Sequence, residues 1–425
     1  MDINSLLKGR KCECQRTHTC PIKHIYVEDG AIMRLRELTA SYNSILLVAD
    51  ENTFSVAGKM TKEALREKKT SELIFSGKTL VIPNEESIER VRRCLDGVDL
   101  IIGIGSGVIQ DLCKCVAHFS ALPYMVVATA PSMDGYASSG AAMILKGMKE
   151  TVPATLPVAI VAELDVLATA PIEMIKAGYG DIIGKYSALC DWELSSIVNG
   201  EYFCSYIYRT TLETVEKTLS TADGLLKRDK KSVGALMEAL IIVGIMMSFA
   251  TSSRPASGSE HHLSHFFEIT GIINNTPYLA HGIDVAYSTI ITTQIREALI
   301  KKMPLGEQFS LKREDYLSKM DKIYGPIAGE CVALQDRVGA YKRDRMSAYR
   351  ENWAKIKEIF EKAPTSSEIK QMLSLVELDV SELYKTYGEE RLRTAIAWAK
   401  DLKDRYTVLW MGFDILGEES EAYGL

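Results

Sequence analysis

The chain has no apolar run long enough to cross a bilayer. Its longest, Ala239 to Ala250, covers twelve residues, against roughly 20 for a membrane-spanning helix, so a buried helix is expected there. It also lacks an excess of positive charge. Fifty Lys and Arg against 56 Asp and Glu leave a net charge of −6, which argues against nucleic acid or an anionic membrane as partner, since both favour basic patches. The sequence begins Met-Asp-Ile-Asn-Ser with no apolar signal region, and a cytoplasmic protein is expected. No internal repeat and no low-complexity tract interrupts it. The cysteines number nine, an odd count scattered along the chain, which speaks for a reducing compartment over a disulfide framework. Histidine is scarce as well: there are only seven, and four of them, His261, His262, His265 and His281, fall between Ser257 and Gly282.

The 425 residues are enough for two domains or more. Short apolar runs at Ser44–Asp50, Thr79–Pro83, Val98–Gly107 and Tyr124–Thr129 read as strands buried on both faces. Segments with helical periodicity separate them, at Asp29–Tyr42, Thr53–Lys68, Glu85–Leu95 and Ile109–Ser120. This alternation implies βαβ units and a parallel sheet. Met143–Glu150 and Val158–Glu163 are further expected strands, paired across Lys146-Gly147 or the Pro153–Pro157 loop. Helical periodicity dominates from Ile172, and a domain boundary is expected near Asp165. The expected class is an α/β Rossmann-like domain over residues 1–164, followed by an all-α helical domain over 165–425.

The lead-in, Lys-Cys-Glu-Cys-Gln-Arg-Thr-His-Thr-Cys-Pro, holds Cys12, Cys14, His18 and Cys20, all residue types that ligate zinc. C-x-C is tighter than the usual C-x2-4-C knuckle, and an ordinary lead-in strand or loop is the expectation for this stretch.

Gly103-Ile-Gly-Ser-Gly107 lies between a strand and a helix. Glycines at Gly105 and Gly107 with Ser106 let a backbone approach a pyrophosphate, and the helix behind them offers N–H groups and a positive dipole end. The pattern is not G-x-G-x-x-G, so an ordinary βα turn stays open. Asp50, ending a strand, suits either a ribose diol or a helix cap. The small-residue loop Ala130–Gly140 follows the carboxyl end of a strand, where open α/β sheets bind ligands, and Asp134 is its polar residue best able to reach one.

His261 and His265 are four apart and share a helical face. With His281, from a separate segment, they offer imidazoles for a divalent ion, and Asp181 is the best upstream candidate for a third ligand. Asp181 and Lys185 are also four apart: they read either as an i,i+4 ion pair or as a metal ligand beside a cation for an anionic substrate. Gly178 and Gly180 weaken a helix start and suggest an unusual approach there.

Five motifs stand in order: Gly103-Ile-Gly-Ser-Gly with Asp111 and Lys114; Thr129-Ala-Pro-Ser-Met-Asp-Gly; Gly178-Tyr-Gly-Asp-Ile-Ile-Gly-Lys; Gly258-Ser-Glu-His-His-Leu-Ser-His; and Ala280-His-Gly. Together they resemble the iron-containing alcohol dehydrogenase and dehydroquinate synthase superfamily, and within it the sn-glycerol-1-phosphate dehydrogenases, over nearly the whole chain. The resemblance implies a dehydroquinate synthase-like fold. It implies reduction of dihydroxyacetone phosphate with NAD(H) or NADP(H), and one divalent ion, zinc foremost with nickel or iron as alternatives. It implies Asp181, His261 and His281 as metal ligands and His265 as a catalytic histidine near the substrate. Asp50, Gly105, Ser106, Gly107, Asp111, Thr129, Ser132, Asp134 and Ser138 are then the dinucleotide contacts. Asp134, Asp181, Lys185 and His265 face the substrate, a homodimer or larger homo-oligomer is expected, and no role falls to His262. Val108 departs from the pattern, since many relatives carry a serine or threonine there. A glycerol or other small-polyol dehydrogenase shares every motif but a cationic phosphate pocket, for which Lys185 and Arg254 are candidates.

Overall fold

The computed structural model describes residues 3–304 and 306–418. By contacts the chain forms two units, Met1–Ile182 with Arg209–Ser253, and Ile183–Tyr208 with Arg254–Leu425.

After a single helical turn at Ile3–Leu6, the first unit continues with a small antiparallel hairpin of β1 (Arg10–Lys11) and β2 (Thr17–His18). Its centre is a six-stranded sheet made of β3 (His24–Glu28), β4 (Ser44–Asp50), β5 (Lys69–Phe75), β6 (Leu100–Gly105), β7 (Tyr124–Ala128) and β10 (Ala159–Glu163). Every pairing is parallel, in the order β3-β10-β7-β6-β4-β5. The central strands are apolar on both faces because both faces are covered: Ile45, Leu46, Leu47, Val48 and Ala49 are fully buried. A separate hairpin joins β8 (Gly140–Leu145) to β9 (Met148–Pro153). Its two turn residues, Lys146 and Gly147, both have positive φ, as a tight two-residue hairpin turn requires. The turn at Lys146-Gly147 thus splits the single strand expected over Met143–Glu150, and the strand expected at Val158–Glu163 is β10, which pairs in parallel with β3 and β7 and not with this hairpin.

From β4 the chain passes to β5 on one side and then to β6 on the other. The strand order therefore reverses between β4 and β6, and the carboxyl ends there border the crevice in which such sheets take ligands. Ala49 pairs with Ile104, and Gly105 with Ala128. Asp50, the Gly105–Gly107 turn and Thr129 thus lie along one edge of the sheet.

Three expected elements are corrected. The second strand is Lys69–Phe75, not Thr79–Pro83, where Leu80 and Ile82 are exposed. As an edge strand β5 pairs with β4 alone and stays largely polar, which hid it from a search for apolar runs. The helix expected over 53–68 starts at Glu51, widens to a π turn over Phe54–Gly58 and ends at Ala64. The helix expected over 29–42 shrinks to a 3-10 turn, Ala31–Arg34, and one α turn, Leu35–Leu38.

Helices α1 (Glu85–Arg92) and α2 (Gly107–Phe119) follow in the first unit. Helix α3 (Ile172–Asn199) begins in the first unit and ends in the second, and α4 (Ser205–Leu219) runs back into the first. Because α3 starts at Ile172, Gly178 and Gly180 lie inside the helix and not at its start. The expected apolar run lies within α5 (Lys230–Ala250), a helix of 21 residues. Among the described residues it is the one helix long and apolar enough to cross a membrane, yet 89% of its most apolar stretch is buried inside the protein. The second unit is helical, and its α6 (Ser259–Asn274) and α7 (His281–Ile300) pack against each other.

Candidate functional site

In the first unit the glycine turn leads into α2, whose N-cap Ser106 makes no side-chain cap bond. The first N–H groups of a 13-residue helix are therefore left to a ligand or to water, and an anion is the favoured occupant. Gly105 has to be a glycine: a Cβ there would come within 2.7 Å of Ile109 Cβ. Gly107 has more room, since the nearest neighbour of a Cβ added there would be Met133 Cγ, at 3.3 Å. Buried Gln110 holds the turn, with Nε2 donating to the carbonyls of Gly103 (2.9 Å) and Gly105 (3.0 Å), and Oε1 accepting from Tyr124 Oη at 2.9 Å.

Asp111 pairs with Lys114 at 2.8 Å. The fully buried Lys114 ammonium also donates to the Gly135 carbonyl (3.0 Å) and to Ser138 Oγ (3.2 Å). It ties α2 to the Asp134–Ser138 loop and so brings Asp111 and Ser138 together. Thr129 is buried, its N–H donating to Gly105 O at 3.3 Å. Ser132 bonds to Tyr136, whose hydroxyl donates to Ala130 O at 2.6 Å. Asp50 acts as the N-cap of the following helix, Oδ1 accepting from Asn52 N (2.8 Å) and Thr53 N (3.0 Å).

Gly178 explains how the Ala130–Asp134 loop meets α3. A Cβ at that position would lie 1.8 Å from the Pro131 carbonyl oxygen, so only glycine admits the loop backbone. With the loop seated, Asp134 N–H donates to Asp181 Oδ2 at 3.0 Å.

In the second unit the rings of His261, His265 and His281 cluster, with centroids 5.1 Å apart for His261–His281, 5.6 Å for His265–His281 and 6.1 Å for His261–His265. One ligand nitrogen of His261 and one of His281 lie within 4.8 Å of each other. Each ring is oriented through Nδ1. That of His261 donates to Glu260 Oε1 at 2.7 Å, and that of His281 lies 3.2 Å from Ser264 Oγ. The carboxylate fixes the His261 tautomer with the hydrogen on Nδ1, the Ser264 hydroxyl holds the His281 ring, and Nε2 of each is left for a metal, so these residues fit a divalent ion.

The start of α6 is anchored from several sides. Gly258 N–H donates to Glu260 Oε1 (2.8 Å) and Ser259 N–H to Asp191 Oδ2 (2.7 Å). Lys185 Nζ donates to Ala256 O at 3.1 Å, and Arg405 Nη1 to Ser257 O at 2.9 Å. Burial pushes the Glu260 carboxyl up, opposed by the Gly258 N–H and the Lys185 charge. Burial likewise raises Asp191 to about 6, with Glu260 adding to it. The start of α7 is held by Tyr387, whose hydroxyl donates to Asp284 at 2.7 Å, accepts from Leu279 N at 2.9 Å, and whose ring stacks on Phe267.

Arg254 does not serve as a phosphate cation. Its buried guanidinium is committed to Glu201 (2.6 Å) and to the Tyr406 carbonyl (2.7 Å). Desolvation pushes buried His262 well down. The supporting residues Gln110, Glu260, Ser264, Asp284 and Tyr387 were not singled out from the sequence. Glu260 alone carried a local signal, as the residue before the first clustered histidine.

The profile of the iron-containing alcohol dehydrogenase family matches residues 26–171. A glycerol-1-phosphate dehydrogenase of Bacillus licheniformis, with NAD(P)+ in its name, is 32% identical over 413 residues, covering 94% of this chain and 90% of that protein. Its counterpart in Halalkalibacterium halodurans is 30% identical over 359 residues, 79% of this chain and 90% of that protein. Among solved structures, a probable glycerol dehydrogenase from Sinorhizobium meliloti aligns with a TM-score of 0.61 at 17% identity, over 95% of this chain and 98% of that one. An NADH-dependent butanol dehydrogenase from Thermotoga maritima aligns with a TM-score of 0.53 at 16% identity, over 92% and 96%. At those identities the solved structures share the fold.

Proposed function

We propose a function from the premise that this chain belongs to the glycerol-1-phosphate dehydrogenase family: reversible reduction of dihydroxyacetone phosphate to sn-glycerol 1-phosphate with NADH or NADPH. The observation that carries the reading on this chain's own residues is the pair His261 and His281, each oriented through Nδ1. Residues 1–164 take the dinucleotide, and residues 165–425 the metal and the substrate.

Asp181, His261 and His281 would hold one divalent ion, zinc foremost. When bound, such an ion supplies Lewis-acid polarisation of a substrate carbonyl. The nicotinamide, when bound, supplies the hydride. Glu260 and Ser264 keep the two imidazoles oriented, and the Asp134 N–H does the same for the Asp181 carboxylate. His265, buried beside both rings, is the group for moving a proton at the substrate oxygen.

The Gly105–Gly107 turn and the start of α2 receive the pyrophosphate through backbone N–H groups, so Val108 costs the site only a side-chain hydroxyl. Asp50 uses Oδ1 for its cap and keeps Oδ2 for the ribose diol. A carboxylate there favours NAD(H), because it repels a 2′-phosphate. Asp111 and Ser138, joined through Lys114, with Thr129 and Ser132, shape the remainder of the dinucleotide site. Lys185, one turn after Asp181, is the cation for the substrate phosphate. We place the protein in the cytoplasm as a homodimer or larger homo-oligomer. Among the described residues no cysteine is in a disulfide, which suits a reducing compartment.

The competing reading is a glycerol or small-polyol dehydrogenase, favoured by the commitment of Arg254 to Glu201 and of a Lys185 donor to the Ala256 carbonyl. Steady-state NADH oxidation with dihydroxyacetone phosphate against dihydroxyacetone separates the two. Preference for the unphosphorylated ketone would overturn the phosphate assignment. Chelation should abolish turnover and added zinc or nickel restore it, and full activity of His281→Ala in metal-free buffer would remove the metal from the scheme.

A further inference from the structure

The N-terminal hairpin has no part in the reading above, yet it concentrates metal-ligand chemistry. Strands β1 and β2 pair with Arg10 opposite His18. The connection closes tightly: Cys12 N–H donates to Arg16 O, Gln15 N–H donates to Cys12 O, and Gln15 takes a left-handed conformation at φ 64°. This turn folds the Cys-x-Cys pair back onto the strand that carries His18. The result sets Cys14 Sγ 3.4 Å from His18 Nε2. One ligand atom each from Cys12, Cys14 and His18 lie within 4.8 Å of one another.

His18 is itself oriented as a ligand. It is buried, it stacks on Phe249 at 5.3 Å, and its Nδ1 lies 3.1 Å from the Phe249 carbonyl oxygen on α5. A carbonyl can only accept, so Nδ1 carries the hydrogen and Nε2 presents its lone pair on the side of the thiols. A backbone carbonyl on the far nitrogen is a regular support for a metal-bound imidazole. Two thiols and a tautomer-fixed imidazole on one short hairpin match a borderline-soft divalent ion in tetrahedral coordination.

We propose that Cys12, Cys14 and His18 bind a zinc ion, separate from the catalytic metal, as its three protein ligands, with water completing the tetrahedron. Binding releases the thiol protons to solvent and involves no redox step. The two hairpin thiolates neutralise the two charges of the ion. The ion would pin a segment of two-residue strands, too short to be stable unaided, against the core helix α5.

The proposal is tested by loading the reduced full-length protein with cobalt(II) and recording the near-ultraviolet absorption of thiolate-to-cobalt charge transfer. The catalytic set Asp181, His261 and His281 has no thiolate, so this band reports the hairpin alone. The wild type should show it, and His261→Ala/His281→Ala should keep it. Cys12→Ser/Cys14→Ser should lose it while circular dichroism shows the protein folded, and total zinc by elemental analysis should fall by one ion per chain. Cys94→Ser should leave the band unchanged. Absence of the band in the reduced wild type, or its persistence in Cys12→Ser/Cys14→Ser, would overturn the site.

Discussion

Glu260 offers a sharp test of how the histidine cluster is built. Its Oε1 accepts two hydrogen bonds, from Gly258 N–H at 2.8 Å and from His261 Nδ1 at 2.7 Å, in a fully buried setting. The first bond anchors the start of α6. The second sets the tautomer of His261 and makes Nε2 a better ligand. Losing such a support typically lowers metal affinity by roughly 10- to 100-fold, or about 1.4–2.7 kcal/mol. The two natural substitutions divide that range. Glu260→Gln keeps an amide oxygen that can accept from Nδ1 but removes the charge, so the loss should be roughly tenfold. Glu260→Ala removes the acceptor altogether and should approach a hundredfold. Zinc affinity is measured by competition with a chromophoric chelator, in a Cys12→Ser/Cys14→Ser background so that the hairpin does not contribute. Thermal unfolding of the metal-free proteins is recorded in parallel. If Glu260 serves only to anchor the helix, both variants lose melting temperature while metal affinity stays at the parent value. That outcome, in folded protein, would refute the orienting role.

Three further outcomes are expected. Lys185→Ala should raise KM for dihydroxyacetone phosphate by roughly ten- to a hundredfold, the loss of one charge-assisted contact at about 1.5–3 kcal/mol, with a much smaller effect on dihydroxyacetone. Because Lys185 also holds the Ala256 carbonyl, an equal effect on both ketones would reduce it to a structural anchor. Gly107→Val should weaken NADH binding in a protein that still folds, since only the adaptable Met133 side chain stands near a new Cβ; unchanged NADH affinity would remove this turn as the pyrophosphate cradle. Gly105→Ala, by contrast, presses on Ile109 Cβ at 2.7 Å and should cost about 1–3 kcal/mol of stability in denaturant titration, and a fully stable variant would contradict the packing described here.

What was legible in the sequence and what was not follow from the range of the interactions involved. The central strands could be read because burial on both faces leaves an uninterrupted apolar run, as in Ile45–Ala49. The edge strand β5 could not, because one neighbour and an open flank allow a polar sequence. The shared face of His261 and His265 is a four-residue spacing on one helix and needed no tertiary information. Their supports are of mixed range: Glu260 is adjacent, Ser264 is 17 residues from His281, and Tyr387 reaches Asp284 across 103 residues. The cysteine-rich hairpin is the clearest case of long-range information. Judged by spacing, Cys12-x-Cys14 is too tight for the usual zinc knuckle, and the sequence favours an ordinary lead-in. Two features change that judgement: the left-handed Gln15 that folds the pair back, and the carbonyl of Phe249, 231 residues away, that orients His18. A ligand pattern reads from sequence only when one element supplies both the donors and their orientation. Where the orienting group comes from a distant helix, the donors look like isolated residues until the fold brings that helix beside them.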